Sequence, residues 1–321
     1  MKNPWDKIEK PDLEISTLRA DPLHPLDFSW AKDHLDNYLF VYEYPSNSEI
    51  ILNDVPDLLG IETNSTYHND VVRIIFSLRE KDDWEIFHDL CLSLMASTNS
   101  LKDIKKAPIY ILKRLKSWHR FLQKNKSGIL KEEAIKGLIG ELLFLKNWVI
   151  PKYGINESIK FWIGPESTPQ DFAVNKTAVE VKCQFGGTSP RVKISSEDQL
   201  FTQLENLILY VVTLGKTTPE TKDLINLPNL IEELEGMMND ASSLMINRFQ
   251  DLLLEVGYRF TEKYFDYNYI FSNEQAFVVN EDFPRLVPDD LKDGIFNLNY
   301  TINISDCSDY KIDIENWGED H

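Results

Sequence analysis

The chain has 321 residues, 42% of them hydrophobic, enough for one large domain or two modest ones within ordinary globular composition. Its formal charge of -18 runs against uniform nucleic-acid binding, which relies on Lys and Arg to neutralise phosphate. Three scattered cysteines (Cys91, Cys183, Cys307) without CxxC spacing argue against a disulfide framework and a zinc ribbon, and the six histidines lack metalloprotease spacing.

Met1 to Leu18 has no apolar signal core, and the longest apolar run, Leu207 to Leu214, is far shorter than the ~20 residues a spanning helix needs. A cytoplasmic protein with no membrane partner is expected. From Leu26 to Ser77, aromatic and β-branched runs such as Tyr38 to Tyr42 and Val71 to Phe76 are punctuated by Asn, Pro and Gly, which predicts a small β-rich unit. Trp84, Phe87, Leu90, Cys91 and Leu94 then recur at helical spacing within Asp82 to Met95. The polar stretch Ser97 to Asp103 reads as a connector, dividing the chain into a β-rich domain over 1–100 and a second domain over 101–321.

Between Leu101 and Lys136 stand eleven Lys or Arg against Asp103, Glu132 and Glu133, so this stretch is +8 and the remainder -26. The separation suits a phosphate-facing strip in which Lys113, Lys116 and Arg120 touch nucleic acid, and it equally suits a solvated basic helix with no ligand. Lys131 to Trp148 is a predicted helix, with Ile135, Leu138, Ile139, Leu142 and Leu145 on its buried face. Pro151, Gly154 and Gly164-Pro165 break the chain before short strands around Phe172 and Val181. A buried strand is expected over Leu207 to Val212 and a helix over Ala241 to Val256, followed by short strands and loops.

The chemistry concentrates in Asp171-Phe172 and Ala178-Val179-Glu180-Val181-Lys182. Strand alternation puts Glu180 and Lys182 on one face, with Val179 and Val181 on the other. If Asn175-Lys176 is a two-residue hairpin tip, Val174 pairs with Thr177, Phe172 with Val179, and Asp171 comes opposite Glu180. Opposed carboxylates destabilise a strand pair and call for a cation, and Mg²⁺ (or Mn²⁺) suits oxygen ligands from one or two carboxylates. On this reading Asp171, Glu180 and the Val181 carbonyl ligate the metal, and Lys182 orients or activates water. Glu141 is a fourth candidate, both catalytic and metal-ligating, because its helix face carries Ala134 and Gly137 and small residues there permit close approach to a sheet. A lone Glu beside an apolar helix face is more often a solvent-edge residue.

The order Gly137-Leu138-Ile139-Gly140-Glu141-Leu142, Gly164-Pro165, Gln170-Asp171-Phe172 and Glu180-Val181-Lys182 resembles the PD-(D/E)XK family found among bacterial defence-associated genes. The likeness extends through Ile194-Ser195-Ser196, Gln199-Leu200, Phe283-Pro284-Arg285-Leu286 and Gly294-Ile295, and back to Trp30 and Pro56-Asp57-Leu58. It departs at Gln170, where the family name has Pro, with Pro169 one position early. The resemblance implies an α/β fold of the restriction-endonuclease-like kind, a central mixed sheet flanked by helices, and Mg²⁺-dependent cleavage of DNA.

Gln184 continues the face of Glu180 and Lys182, and Arg191 and Lys193 alternate just beyond, so these three are candidate DNA contacts beside the plainer reading of an edge strand. Ser195, Ser196 and Gln199 read as the cap of a following helix ahead of a substrate contact, and Cys183 as core. The alternatives to a nuclease are a non-catalytic nucleic-acid-binding or scaffolding subunit of a multiprotein defence complex, and a structural α/β protein with an accidental acidic hairpin. A homodimer and partner proteins of a defence system are plausible company for a double-strand cutter.

Overall fold

The computed structural model describes residues 2–46, 58–68, 70–99, 101, 103–124, 129–187, 189–238 and 241–318. Lys102, Lys126, Pro56 and Asp57 lie outside the described residues. The chain divides into two units, Met1–Lys126 and Ser127–His321.

In the first unit, runs of alternating aromatic and β-branched residues form β1 (Ile15–Arg19), β2 (Asp27–Asp33), β3 (Tyr38–Pro45), β4 (Ile61–His68) and β5 (Val71–Leu78). They make one antiparallel sheet in the order β1-β2-β3-β5-β4. Period-two alternation sends Phe28, Trp30, Phe40 and Phe76 to one face, where Trp30 lies opposite Phe40 and Phe40 opposite Phe76. Buried Trp5 stacks on Phe87 and donates its indole N–H to the Leu39 carbonyl at 2.8 Å, tying the start of the chain to that aromatic layer.

Helices α1 (Trp84–Thr98) and α2 (Ala107–Lys124) pack on each other. The basic helix therefore lies in the unit Met1–Lys126. Its apolar stripe, Ala107, Ile111, Leu115, Trp118 and Phe121, is buried, and that burial outweighs the charge on its other side in deciding where it docks.

The second unit opens with α3 (Glu132–Phe144), which continues through a π-helical turn at Leu145–Val149 into α4 (Ile150–Tyr153), followed by α5 (Ile155–Phe161). Then come β6 (Phe172–Val174), β7 (Thr177–Phe185), β8 (Arg191–Ile194), β9 (Asn206–Lys216), α6 (Leu227–Met237), α7 (Ser243–Glu255), β10 (Tyr269–Val278), β11 (Tyr300–Asn303) and β12 (Lys311–Ile312). The main sheet runs β12-β10-β9-β7-β6 and is mixed: β7 and β9 are parallel, and the other neighbours antiparallel.

Residues of β9 alternate between two buried layers. Ile208, Tyr210, Val212 and Leu214 face a core built with α3, α6 and α7, whereas Leu207, Leu209 and Val211 face a second core with Val192, Ile194, Phe283, Ile302 and Cys307. This explains why the strand reads as an unbroken apolar run. The second layer is built on the two-stranded β8-β11 sheet and loops. Among the described residues no helix is long and apolar enough to cross a membrane.

Candidate active site

Asn175 takes a left-handed φ of +53°, a conformation Asn tolerates better than most residues, and this closes a tight turn between β6 and β7. The register is Val174↔Thr177, Ala173↔Ala178, Phe172↔Val179, as the two-residue tip requires. The ladder stops at Phe172, so the expected Asp171↔Glu180 pair does not form. Asp171 still donates its N–H to the Val179 carbonyl at 3.1 Å, but its own carbonyl turns away to accept both Ile163 and Gly164 N–H groups at 2.9 Å. Its carboxylate takes the Val181 N–H at 2.7 Å.

Gly164 explains the closeness of that fit: a Cβ at this position would lie 2.7 Å from Asp171 Oδ1 and 3.0 Å from its Cα. Within a strand the N–H and C=O of one residue point to the same side, so the Val181 carbonyl is aimed at the edge that β6 vacates, beside Asp171.

Glu180 is 1% exposed. Its Oε1 is 2.6 Å from the Lys182 ammonium, while its Oε2 is buried and has no hydrogen-bond partner. Lys182 donates also to Gln199 Oε1 at 3.0 Å. Glu141 reaches the group from α3, and its Oε2 accepts the indole N–H of buried Trp162 at 2.8 Å.

Helix α3 comes this close to β7 because of Gly140, whose absent Cβ would meet Val212, Val181 and Cys183 at 3.2 to 3.4 Å. Ala134 and Gly137, the small residues expected in that role, do not fill it: Ala134 is exposed and a Cβ on Gly137 would meet nothing within 4 Å.

Burial raises all three carboxyl groups. It pushes Asp171 up to about 6 against the Val181 N–H and the Lys182 charge, which pull it down. Glu180 is held well above the usual carboxylate range by burial and then by the Asp171 charge, with Lys182 opposing. Glu141 is raised well above it by burial and Asp171, with the Trp162 hydrogen bond opposing. Three acids against one ammonium leave the site short of positive charge, and a hard cation would supply it.

The residues fit such an ion in one respect and limit it in another. The orphaned Glu180 Oε2, the neighbouring Asp171 carboxylate and the Val181 carbonyl form an all-oxygen donor set of the kind Mg²⁺ accepts with one or two carboxylates. Among the described residues no group of three or more His, Cys, Asp or Glu side chains is placed to hold a metal, and one oxygen of Glu141 already accepts the Trp162 indole N–H.

Gln184 follows Lys182 on the same strand face; it donates to Thr213 at 3.1 Å and keeps a buried Oε1 without a partner. Arg191 and Lys193 are exposed on β8, alternating with buried Val192 and Ile194, opposite Asn303 and Thr301. Lys113, Lys116 and Arg120 are exposed on α2 of the first unit and are not among the residues the second unit gathers here. Cys183 packs under α3, and burial pushes its thiol up to about 12, in keeping with a core residue.

The stretch at Ser195 is not a helix start. Residues 196–200 form turns, and Gln199 Oε1 accepts from the Ser195 N–H at 2.7 Å as well as from Lys182. Sequence reasoning ranks Gln199 as a helix cap ahead of a substrate contact, and it offers no local signal for Trp162.

A mixed α/β sheet whose acidic hairpin carries Asp171, Glu180 and Lys182 defines a protein of the restriction-endonuclease-like, nuclease-superfamily class. The chain belongs to the family described as "Putative PD-(D/E)XK family member" (DUF4420), whose model matches residues 1–305 and so spans both units. No curated protein and no solved structure matches the chain.

Proposed function

We propose that the protein is a Mg²⁺-dependent (or Mn²⁺-dependent) deoxyribonuclease that hydrolyses phosphodiester bonds, working in the cytoplasm in a bacterial anti-phage or restriction-type defence system. The observation that carries the reading is the buried, unpartnered Glu180 Oε2 beside Asp171, with the Lys182 ammonium 2.6 Å from the other Glu180 oxygen. Asp171, Glu180 and the Val181 carbonyl would hold the ion, which when bound supplies Lewis-acid polarisation of the phosphate and lowers the pKa of water.

Lys182 brings a positive charge to the place where phosphate charge develops, and it orients the attacking water. Glu141 tops the group from the helix side, its position set by Trp162. Gln184, Arg191 and Lys193 extend the surface toward DNA, and Lys113, Lys116 and Arg120 add a phosphate-attracting face on the first unit. A second protomer would provide the second cut of a duplex.

The test is cleavage of plasmid, linear duplex, single-stranded DNA and RNA with and without Mg²⁺, alongside Lys182→Ala, Glu180→Ala and Asp171→Ala. Loss of cleavage in folded variants is the expected result. Full Mg²⁺-dependent activity in any of them removes the site. Binding of duplex without cleavage under every condition would instead favour a scaffolding subunit.

A further inference from the structure

The Lys182 ammonium has two acceptors, Glu180 and Gln199. On the reading above, Glu180 shares its charge with a cation at Oε2, and the neutral Gln199 is the acceptor whose hold on the amine the cation does not compete for. Its oxygen is itself fixed, since it takes the Ser195 N–H at 2.7 Å.

Gln199 sits in a turn with little of its own to hold it: Gln199 N–H to the Ser196 carbonyl at 3.3 Å and Phe201 N–H to the Asp198 carbonyl at 3.2 Å. The turn is fastened from outside: the Glu197 carboxylate accepts the Asn297 and Leu298 N–H groups at 3.1 and 2.8 Å, and a buried amide holds the far half. Gln170 Nε2 reaches the carbonyls of Asp198 at 2.8 Å, Phe201 at 2.7 Å and Gln199 at 3.4 Å. Arg285 donates to one more carbonyl of the turn, that of Leu200, at 2.8 Å.

Gln170 is the residue immediately before Asp171, so the chain that sets the carboxylate also fastens the turn that holds the lysine. A proline there would have no side-chain N–H to give, and a glutamate would face carbonyl oxygens with a charge of the same sign.

We propose that Gln199 is a positioning residue for Lys182 and that Gln170 is the brace that keeps it there. The catalytic meaning of this pair rests on the nuclease reading; the placement of the amine does not, and the experiment separates the two. Full-length wild type, Gln199→Leu, Gln199→Glu, Gln170→Leu and Lys182→Ala are treated with an amine-acetylating reagent, and modification of Lys182 is followed by peptide mass spectrometry, with exposed Lys193 as internal control. Cleavage kinetics with Mg²⁺ are measured on the same preparations.

Gln199→Leu and Gln170→Leu should acetylate at Lys182 several-fold faster than wild type, with Lys193 unchanged. Gln199→Glu, which keeps an acceptor oxygen for both donors, should stay at the wild-type rate. In cleavage, kcat should fall roughly 10- to 100-fold in the two Leu variants at unchanged KM, the cost of a misplaced group, and recover in Gln199→Glu.

Wild-type acetylation rates in both Leu variants would overturn the proposal, as would a Gln199→Glu variant that behaves like Gln199→Leu. If wild type cleaves nothing while the acetylation pattern holds, the brace stands and the nuclease reading falls.

Discussion

Replacing Asp171 by Asn should stabilise the metal-free protein while abolishing cleavage. The Asp171 carboxyl is raised from its ordinary 3.8 to about 6, a shift of roughly 2 units, and at ~1.4 kcal/mol per unit this is about 3 kcal/mol as an upper limit. Because the folded state binds this proton more tightly than the unfolded chain, the associated stability is complete below about pH 4 and is lost as pH rises through 6. At pH 8 wild type thus carries a desolvated charge that Asn lacks, and the Asn oxygen still accepts the Val181 N–H that Asp171 takes at 2.7 Å.

Urea unfolding in a chelator should show Asp171→Asn ahead by about 1–3 kcal/mol at pH 8 and level with wild type at pH 4. Mn²⁺ at a hundred times its dissociation constant should then raise wild type by about 2.7 kcal/mol and leave the variant unmoved. A variant that is less stable than wild type at pH 8, or a difference that does not change with pH, would refute the reasoning.

The same raised carboxyls bear on metal binding: calorimetric titration with Mn²⁺ should show affinity climbing from pH 5 to pH 8 with protons released, since Asp171 and Glu180 must both ionise to ligate. Affinity that is flat across this range would mean the ion binds elsewhere. Gly164→Ala should displace Asp171, costing about 1–3 kcal/mol of stability and most of the Mn²⁺ affinity, because its new Cβ would fall 2.7 Å from Oδ1; a crystal structure of the variant with Asp171 unmoved would contradict this. Gly140→Ala should lift α3 from β7 and cost about 1 kcal/mol in thermal unfolding, its Cβ being 3.2 Å from Val212 Cγ1. An unchanged melting temperature would show that the helix contact has slack.

The hairpin was legible because two local rules suffice there. Alternation along Glu180-Val181-Lys182 and the Asn175-Lys176 turn decide register without help from the rest of the molecule. The same locality explains what went astray nearby. Ser195 and Ser196 carry a helix-cap pattern, yet the carbonyls that a helix would use are taken by Gln170 and Arg285, which are distant in sequence. The charge pattern of the basic helix is conspicuous, whereas its docking follows the apolar stripe buried as it packs with α1 within Met1–Lys126. Glu141 gave a weak signal, for nothing in its own helix says that Trp162, twenty-one residues on, will hold its carboxylate.

From its own order of residues the chain dictates two units of different texture, a β-rich one and an α/β one, and a turn that brings Asp171 toward Glu180 and Lys182. These follow from periodicity and turn preference, which act over a few residues. Only the folded molecule decides that Glu180 Oε2 is left without a partner, that Gly164 makes room for Asp171 and Gly140 for the helix, that Gln199 accepts from Lys182, and that Gln170 reaches the turn carrying Gln199. Those features depend on side chains from separate elements meeting where water is excluded, and which elements meet is settled by packing across the whole unit rather than by any local stretch of sequence.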